Sequence, residues 1–161
     1  MPFYYDLNKN CTTSGSGLTE VLHLVAQTAA NQDTAAIKAV YATARSTTAG
    51  GGSLRVKYNT GTATTGGTSQ TPGKRNTNSP AAGLTWITDA GTFTTASATL
   101  TTRLAVGFAQ TGGMGGWVAL ESSDAFSMSP NKTNPVDVQF WSLSASASVA
   151  FDATAEFSEG A

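Results

Sequence analysis

From Ser148 to Phe157 the chain alternates without a break. Val149, Phe151, Ala153, Ala155 and Phe157 fall on one side, and Ser148, Ala150, Asp152, Thr154 and Glu156 on the other. A period of two is that of a pleated strand, here with one face for a core and one for water. The same rhythm recurs. Leu54, Val56 and Tyr58 alternate with Arg55 and Lys57, and Leu100, Thr102, Leu104, Val106 and Phe108 with Thr101, Arg103, Ala105 and Gly107. Val136, Val138 and Phe140 alternate with Asp137, Gln139 and Trp141. After Glu20, Leu22, Leu24 and Ala26 face one way and Val21, His23 and Val25 the other, the pattern of a strand covered on much of both faces. Such strands, separated by Gly, Ser and Thr turns, predict an all-β single domain, a β-sandwich that is jelly-roll-like.

Four stretches depart from this rhythm. Residues 1–17 carry Phe3, Tyr4 and Tyr5, then Asn8-Lys9-Asn10 and a Thr/Ser/Gly run, with no strand or helix period. They predict an extended N-terminal arm ahead of a sandwich domain over 18–161, its aromatics pinning it to this subunit or to a neighbour. Over residues 34–45, the Asp33-Thr34 cap, the alanine-rich body and Ile37, Val40 and Tyr41 at i, i+3, i+4 favour one short helix. The same stretch alternates as Ile37, Ala39, Tyr41 and Thr43, which suits a hairpin strand turning at Ala49–Gly52. Gln110–Gly116 reads as a glycine-rich turn joining the strand that ends at Phe108 to Trp117–Glu121, a hairpin. Residues 60–83 hold almost nothing apolar, and predict a long Thr/Gly-rich loop that is either mobile or ordered by a neighbouring subunit.

Composition narrows the function. Asp, Glu, Lys and Arg make up 12% of the 161 residues, about half the share in an ordinary globular domain. The formal net charge of −1 provides no field to gather nucleic acid or an anionic membrane, and no apolar run is long enough to span a bilayer. The first residues have neither the basic cluster nor the apolar core of a secretory signal, and Cys11 is the only cysteine; both predict synthesis in a reducing cytoplasm. Charge is split along the chain. From Lys38 to Arg103 seven cations stand against Asp89, for +6; from Leu104 onward six carboxylates stand against Lys132, for −5. The halves pair within one fold, or head-to-tail between copies.

A search for chemistry assigns no catalytic, cofactor-binding or metal-ligating residue, and the chain is expected not to be an enzyme. His23 is the only histidine and sits in an apolar strand, without the fixed partners a general base needs. Cys11 has no cationic segment beside it to activate a thiolate. The glycine clusters at 50–52 and 112–116 have neither the Lys-Ser/Thr ending of a P-loop nor the dinucleotide spacing, and read as turns. Strand alternation sends Asp137, Asp152 and Glu156 to outer faces, against a paired-carboxylate site, and Asp124, Asp137 and Asp152 form no ordered calcium loop. Trp86, Trp117 and Trp141 each fall in a strand pattern, where core packing is the leading role and a sugar-stacking platform the alternative.

Three stretches carry a resemblance: Thr48–Lys57, Arg103–Ala119 and Val149–Glu159. They look like parts of small virion proteins of tailed bacteriophages. A Thr/Ala/Gly-rich sandwich with an extended arm and no catalytic constellation is similar to capsid decoration (cement) proteins. The resemblance covers most of the chain from about Leu18, is one of style and segment, and transfers no functional residue. It implies a non-enzymatic structural protein on the outer capsid surface of a virion. Such a protein would be a homo-oligomer, with a trimer favoured, bridging the major capsid protein or other virion subunits. Two other readings stay open: a ring-forming or host-adhesion subunit of a phage tail or fibre, and a carbohydrate-binding β-sandwich module using Trp86, Trp117 or Trp141.

Overall fold

The first and last strands of the chain pair with each other along their whole length. The computed structural model describes residues 2–12, 19–25, 35–45, 51–59, 68–82, 85–88, 101–109, 113–120, 126–128, 137–144 and 149–159. In it β1 (Phe3–Thr12) runs antiparallel to β12 (Ala150–Glu159), from Phe3 opposite Glu159 to Thr12 opposite Ala150. Moving inward from both ends, β2 (Thr19–Val25) pairs with β11 (Asp137–Ser144). Next, β3 (Ala35–Ala44) pairs with β10 (Phe126–Met128) and with β9 (Met114–Val118), which follow one another along the same edge. Last, β4 (Gly52–Asn59) pairs with β8 (Thr101–Phe108). This nested hairpin then rolls up, because β3 also pairs with β12 and β4 with β11. Ladders nested and rolled in this way make a jelly roll.

Three short strands between β4 and β8 extend it. β5 (Thr68–Gln70) and β7 (Thr85–Thr88) pair with each other, and β7 with β2; β6 (Gly73–Lys74) pairs with β1. One sheet therefore runs β6-β1-β12-β3, with β10 and β9 sharing the far edge, and the other β5-β7-β2-β11-β4-β8. The segment covers the edges that β1 and β2 would otherwise leave unpaired.

The inner faces of both sheets share one core. Tyr5, Leu7, Ile37, Val40, Phe151 and Phe157 from the first sheet meet Leu54, Val56, Val106, Phe108, Val138 and Phe140 from the second. Tyr5 and Phe157 are cross-strand partners whose rings stack with centroids 5.3 Å apart. Phe108 and Phe151 stack across the two layers at 4.8 Å. Each fully buried side chain of this size contributes about 1.5–3 kcal/mol relative to exposure.

The sequence expectations meet this fold unevenly. The all-β domain stands, and in the terminal strand Phe151, Ala153, Ala155 and Phe157 are all buried. The short helix over 34–45 is replaced by β3. Its helical spacing has a local cause: Phe157 faces Ile37 but Glu156 faces Ala39, so a bulge at Lys38 adds a residue to the strand. The bulge sets the inward residues Ile37 and Val40 three apart, which imitates one turn of helix. The N-terminal arm is also corrected over 3–12. There Tyr5, Leu7 and Cys11 are core residues of β1, an interior strand between β12 and β6. Residues 13–17 lie outside the described residues. The predicted hairpin across 110–116 does not form, since β8 pairs with β4 and β9 with β3. Of the long loop, residues 68–82 are structured within the same chain, 68–70 against β7 and 73–80 against β1, with Pro72 and Ser79 buried; 60–67 and 83 lie outside the described residues.

Candidate functional site

Cross-strand neighbours project to the same side of a sheet, so the register sets out the outer face of the first sheet row by row. Asp6 stands beside Glu156, Asn8 beside Thr154 and then Tyr41 and Gly116, and Asn10 beside Asp152 and then Thr43 and Met114. Most of this face is short amide, hydroxyl or carboxylate. Towards β9 it turns apolar. Met114 is 70% exposed, Val118 49% and Leu120, just past the strand, 90%. A Cβ on Gly116 would meet the ring of Tyr41 at 2.7 Å, so that ring lies against the glycine and joins the apolar row. Trp117 points the other way and packs, partly buried, against the core.

At the other end of the face, a turn over 75–79 is tied to the start of β1. The Arg75 amide donates to the Tyr4 carbonyl at 3.2 Å, and the Tyr5 hydroxyl to the Pro80 carbonyl at 3.2 Å. Asn76 organises the turn itself: its side-chain oxygen accepts from the Asn78 amide at 3.0 Å and its carbonyl from the Ser79 amide at 2.9 Å. The Arg75 guanidinium reaches over β1. Its Nη1 donates to Glu156 at 2.9 Å, and its Nε lies 3.2 Å from Asp6, an ion pair without hydrogen-bond alignment. Between this turn and the chain start lies an open pocket of about 500 Å³. Pro2, Phe3 and Tyr4 form one wall, and Arg75, Asn76, Asn78 and Ser79 the other.

Among the described residues, two groups titrate away from their ordinary range. Burial, and then the negative charge of Glu159, push the Tyr5 phenol up. Burial, and then the neighbouring Arg55 cation, pull the Lys57 amine down.

The residues weighed from sequence end up scattered. Cys11 is buried, its thiol 3.3 Å from the Lys9 carbonyl oxygen. Asp152 faces outward and pairs with Arg45 at 2.8 Å, while Glu156 takes Arg75. These two bridges join the basic middle of the chain to its acidic end within one subunit. His23 and Trp86, Trp141 and Asp137 lie on strands, but their side chains, like Asp124 altogether, are outside the described residues. Among the described residues no three His, Cys, Asp or Glu side chains converge as a metal site.

Comparison with family models, with curated proteins and with solved structures found no match. Sequence reading missed the site's two most exposed features. The Met114, Gly116, Val118, Leu120 alternation is present in the sequence, but Met114 and Gly116 read as turn and only Val118 and Leu120 as strand. The pocket needs Arg75 and Phe3, far apart in the chain, to be neighbours, which no local pattern announces.

Proposed function

We propose that this chain is a non-enzymatic virion structural protein, a capsid decoration or cement protein that bridges and stabilises neighbouring capsid subunits. The observation that carries the reading is the apolar row Met114, Tyr41, Val118 and Leu120 on the outer edge of the jelly roll. A subunit that worked alone would gain nothing from holding this row in water; one that docks on a shell gains by covering it. Viral capsid proteins are among the users of the jelly roll, although lectins and cupins share it, so the fold supports the reading by analogy only. Trp117, packed against the core, argues against its use as a stacking platform. In this mechanism the subunit, as a homo-oligomer with a trimer favoured, buries β9 against the major capsid protein, and rupture of the shell must break those contacts too.

The test is to purify particles and locate this chain. A stoichiometric copy number matched to the shell symmetry, with density on the outer surface, is the expected result. Its absence from the head would refute the proposal. The variant Met114→Ser/Val118→Thr/Leu120→Ser should keep its melting temperature, because exposed positions rarely matter to folding. It should bind shells at least tenfold more weakly, since each covered side chain is worth about 1 kcal/mol or more.

A further inference from the structure

The pocket at the chain start plays no part in the assembly reading, and its chemistry is specific. Phe3 and Tyr4 are 39% and 45% exposed, whereas Tyr5, Phe108, Phe140, Phe151 and Phe157 are buried. Two adjacent aromatic side chains left in water at the wall of a cavity favour a ligand with an apolar face. The opposite wall offers the Asn76 and Asn78 amides and the Ser79 hydroxyl, groups that both donate and accept. They suit a ligand whose polar groups do the same. Charge narrows the class further. Among the described residues of the lining Arg75 alone is ionic, and Asp6 and Glu156 engage it from outside the pocket. An anion would meet a cation already engaged by two carboxylates, and a cation would meet Arg75 in the wall, so neither gains strongly. The walls are also preorganised: the Asn76 turn, the Arg75–Tyr4 backbone bond and the Arg75 bridges hold them in place before any ligand arrives. A volume of about 500 Å³ lies within the range of roughly 300–1,000 Å³ typical of small-molecule sites.

We infer that this pocket is a binding site for an uncharged saccharide. A sugar ring lays its C–H face on Tyr4 or Phe3 and exchanges hydrogen bonds with Asn78, Asn76 and Ser79. The Nη2 of Arg75, which has no partner among the described residues, supplies a further donor.

The experiment titrates the full-length ¹⁵N-labelled protein with a panel of neutral methyl glycosides and neutral oligosaccharides, alongside matched acidic sugars. The expected result is saturable binding of a neutral saccharide, with amide shifts centred on residues 2–5 and 73–80. Tyr4→Ala and Asn78→Ala, both at exposed positions, should each weaken it roughly tenfold with melting unchanged. Asn8→Ala, on the open sheet face, should bind as wild type. The inference is overturned if no neutral sugar binds at millimolar concentration, if only acidic sugars bind, if the shifts map elsewhere, or if either pocket variant keeps full affinity. None of these outcomes depends on where the chain sits in a particle, so this inference and the assembly reading can fail separately.

Discussion

A methyl group on Gly115 would overlap the carbonyl oxygen of Gly107, while one on Gly107 would meet nothing within 4 Å. The two glycines touch where β8 of one sheet passes β9 of the other, and only one of them is required for it. Gly115→Ala should destabilise the fold by about 1–3 kcal/mol, as overpacking does, while Gly107→Ala should be tolerated. Urea midpoints of the pair check this. Tyr5 makes a second residue-scale prediction. Because its phenol is held above its ordinary value of about 10, the stability linked to its proton is full below that pH. It is lost as pH rises through the folded value. Lys57 runs the opposite way: its depressed amine contributes stability above the unfolded value of about 10.5 that is lost as pH falls through the folded one. Tyr5→Phe isolates the first effect. The variant should be less stable at pH 8 by about 1 kcal/mol, for the lost bond to Pro80, and the gap to wild type should narrow above pH 10. Denaturant titrations across that range give the answer.

At the scale of elements, Arg75 links β1 and β12 to the 75–79 turn. All three partners are partly exposed, so the ion pairs themselves are worth at most about 1 kcal/mol. Removing the arginine does more than lose them, because Asp6 and Glu156 stand directly opposite and would then repel. Arg75→Ala should lower stability by about 1–2 kcal/mol in dilute buffer and by less in 1 M salt, and adding Asp6→Asn should restore part of the loss. Equal losses at both ionic strengths would show that the turn, and not charge, is what matters. Elements also explain the sequence errors. A single bulge at Lys38 changed the phase of β3 and lent it a helical spacing. Residues 3–12 looked patternless because Tyr4 is exposed beside the buried Tyr5, and Lys9 shares the inward side with Leu7 and Cys11.

On the scale of the molecule, the jelly roll is closed by its two ends. With β1 absent, β12 would keep β3 on one side but lose its other partner along its full length, and Tyr5 would no longer cover Phe157. Deleting residues 1–12 should therefore abolish cooperative unfolding and leave an aggregating chain, since the core would lose Tyr5 and Leu7, at roughly 2–5 kcal/mol each, together with a whole strand ladder. A soluble, cooperatively folding truncation, seen by size-exclusion chromatography and circular dichroism, would restore the view of this segment as a dispensable arm. The nested ladders also join residues distant in sequence throughout, a topology that folds slowly because loop closure precedes any reward.

Alternation alone determined that this chain is a β protein, and which side of β4, β8 and β12 faces the core, because strand periodicity is a property of neighbouring residues. Which strand lies beside which was beyond its reach. The glycine-rich segment was compatible with a hairpin. Only the competing ladders of β4 for β8 and of β3 for β9 sent its two flanks to different sheets. The apolar row on β9 and the pocket beside Arg75 arise the same way, since both depend on segments that meet only after the two sheets have closed.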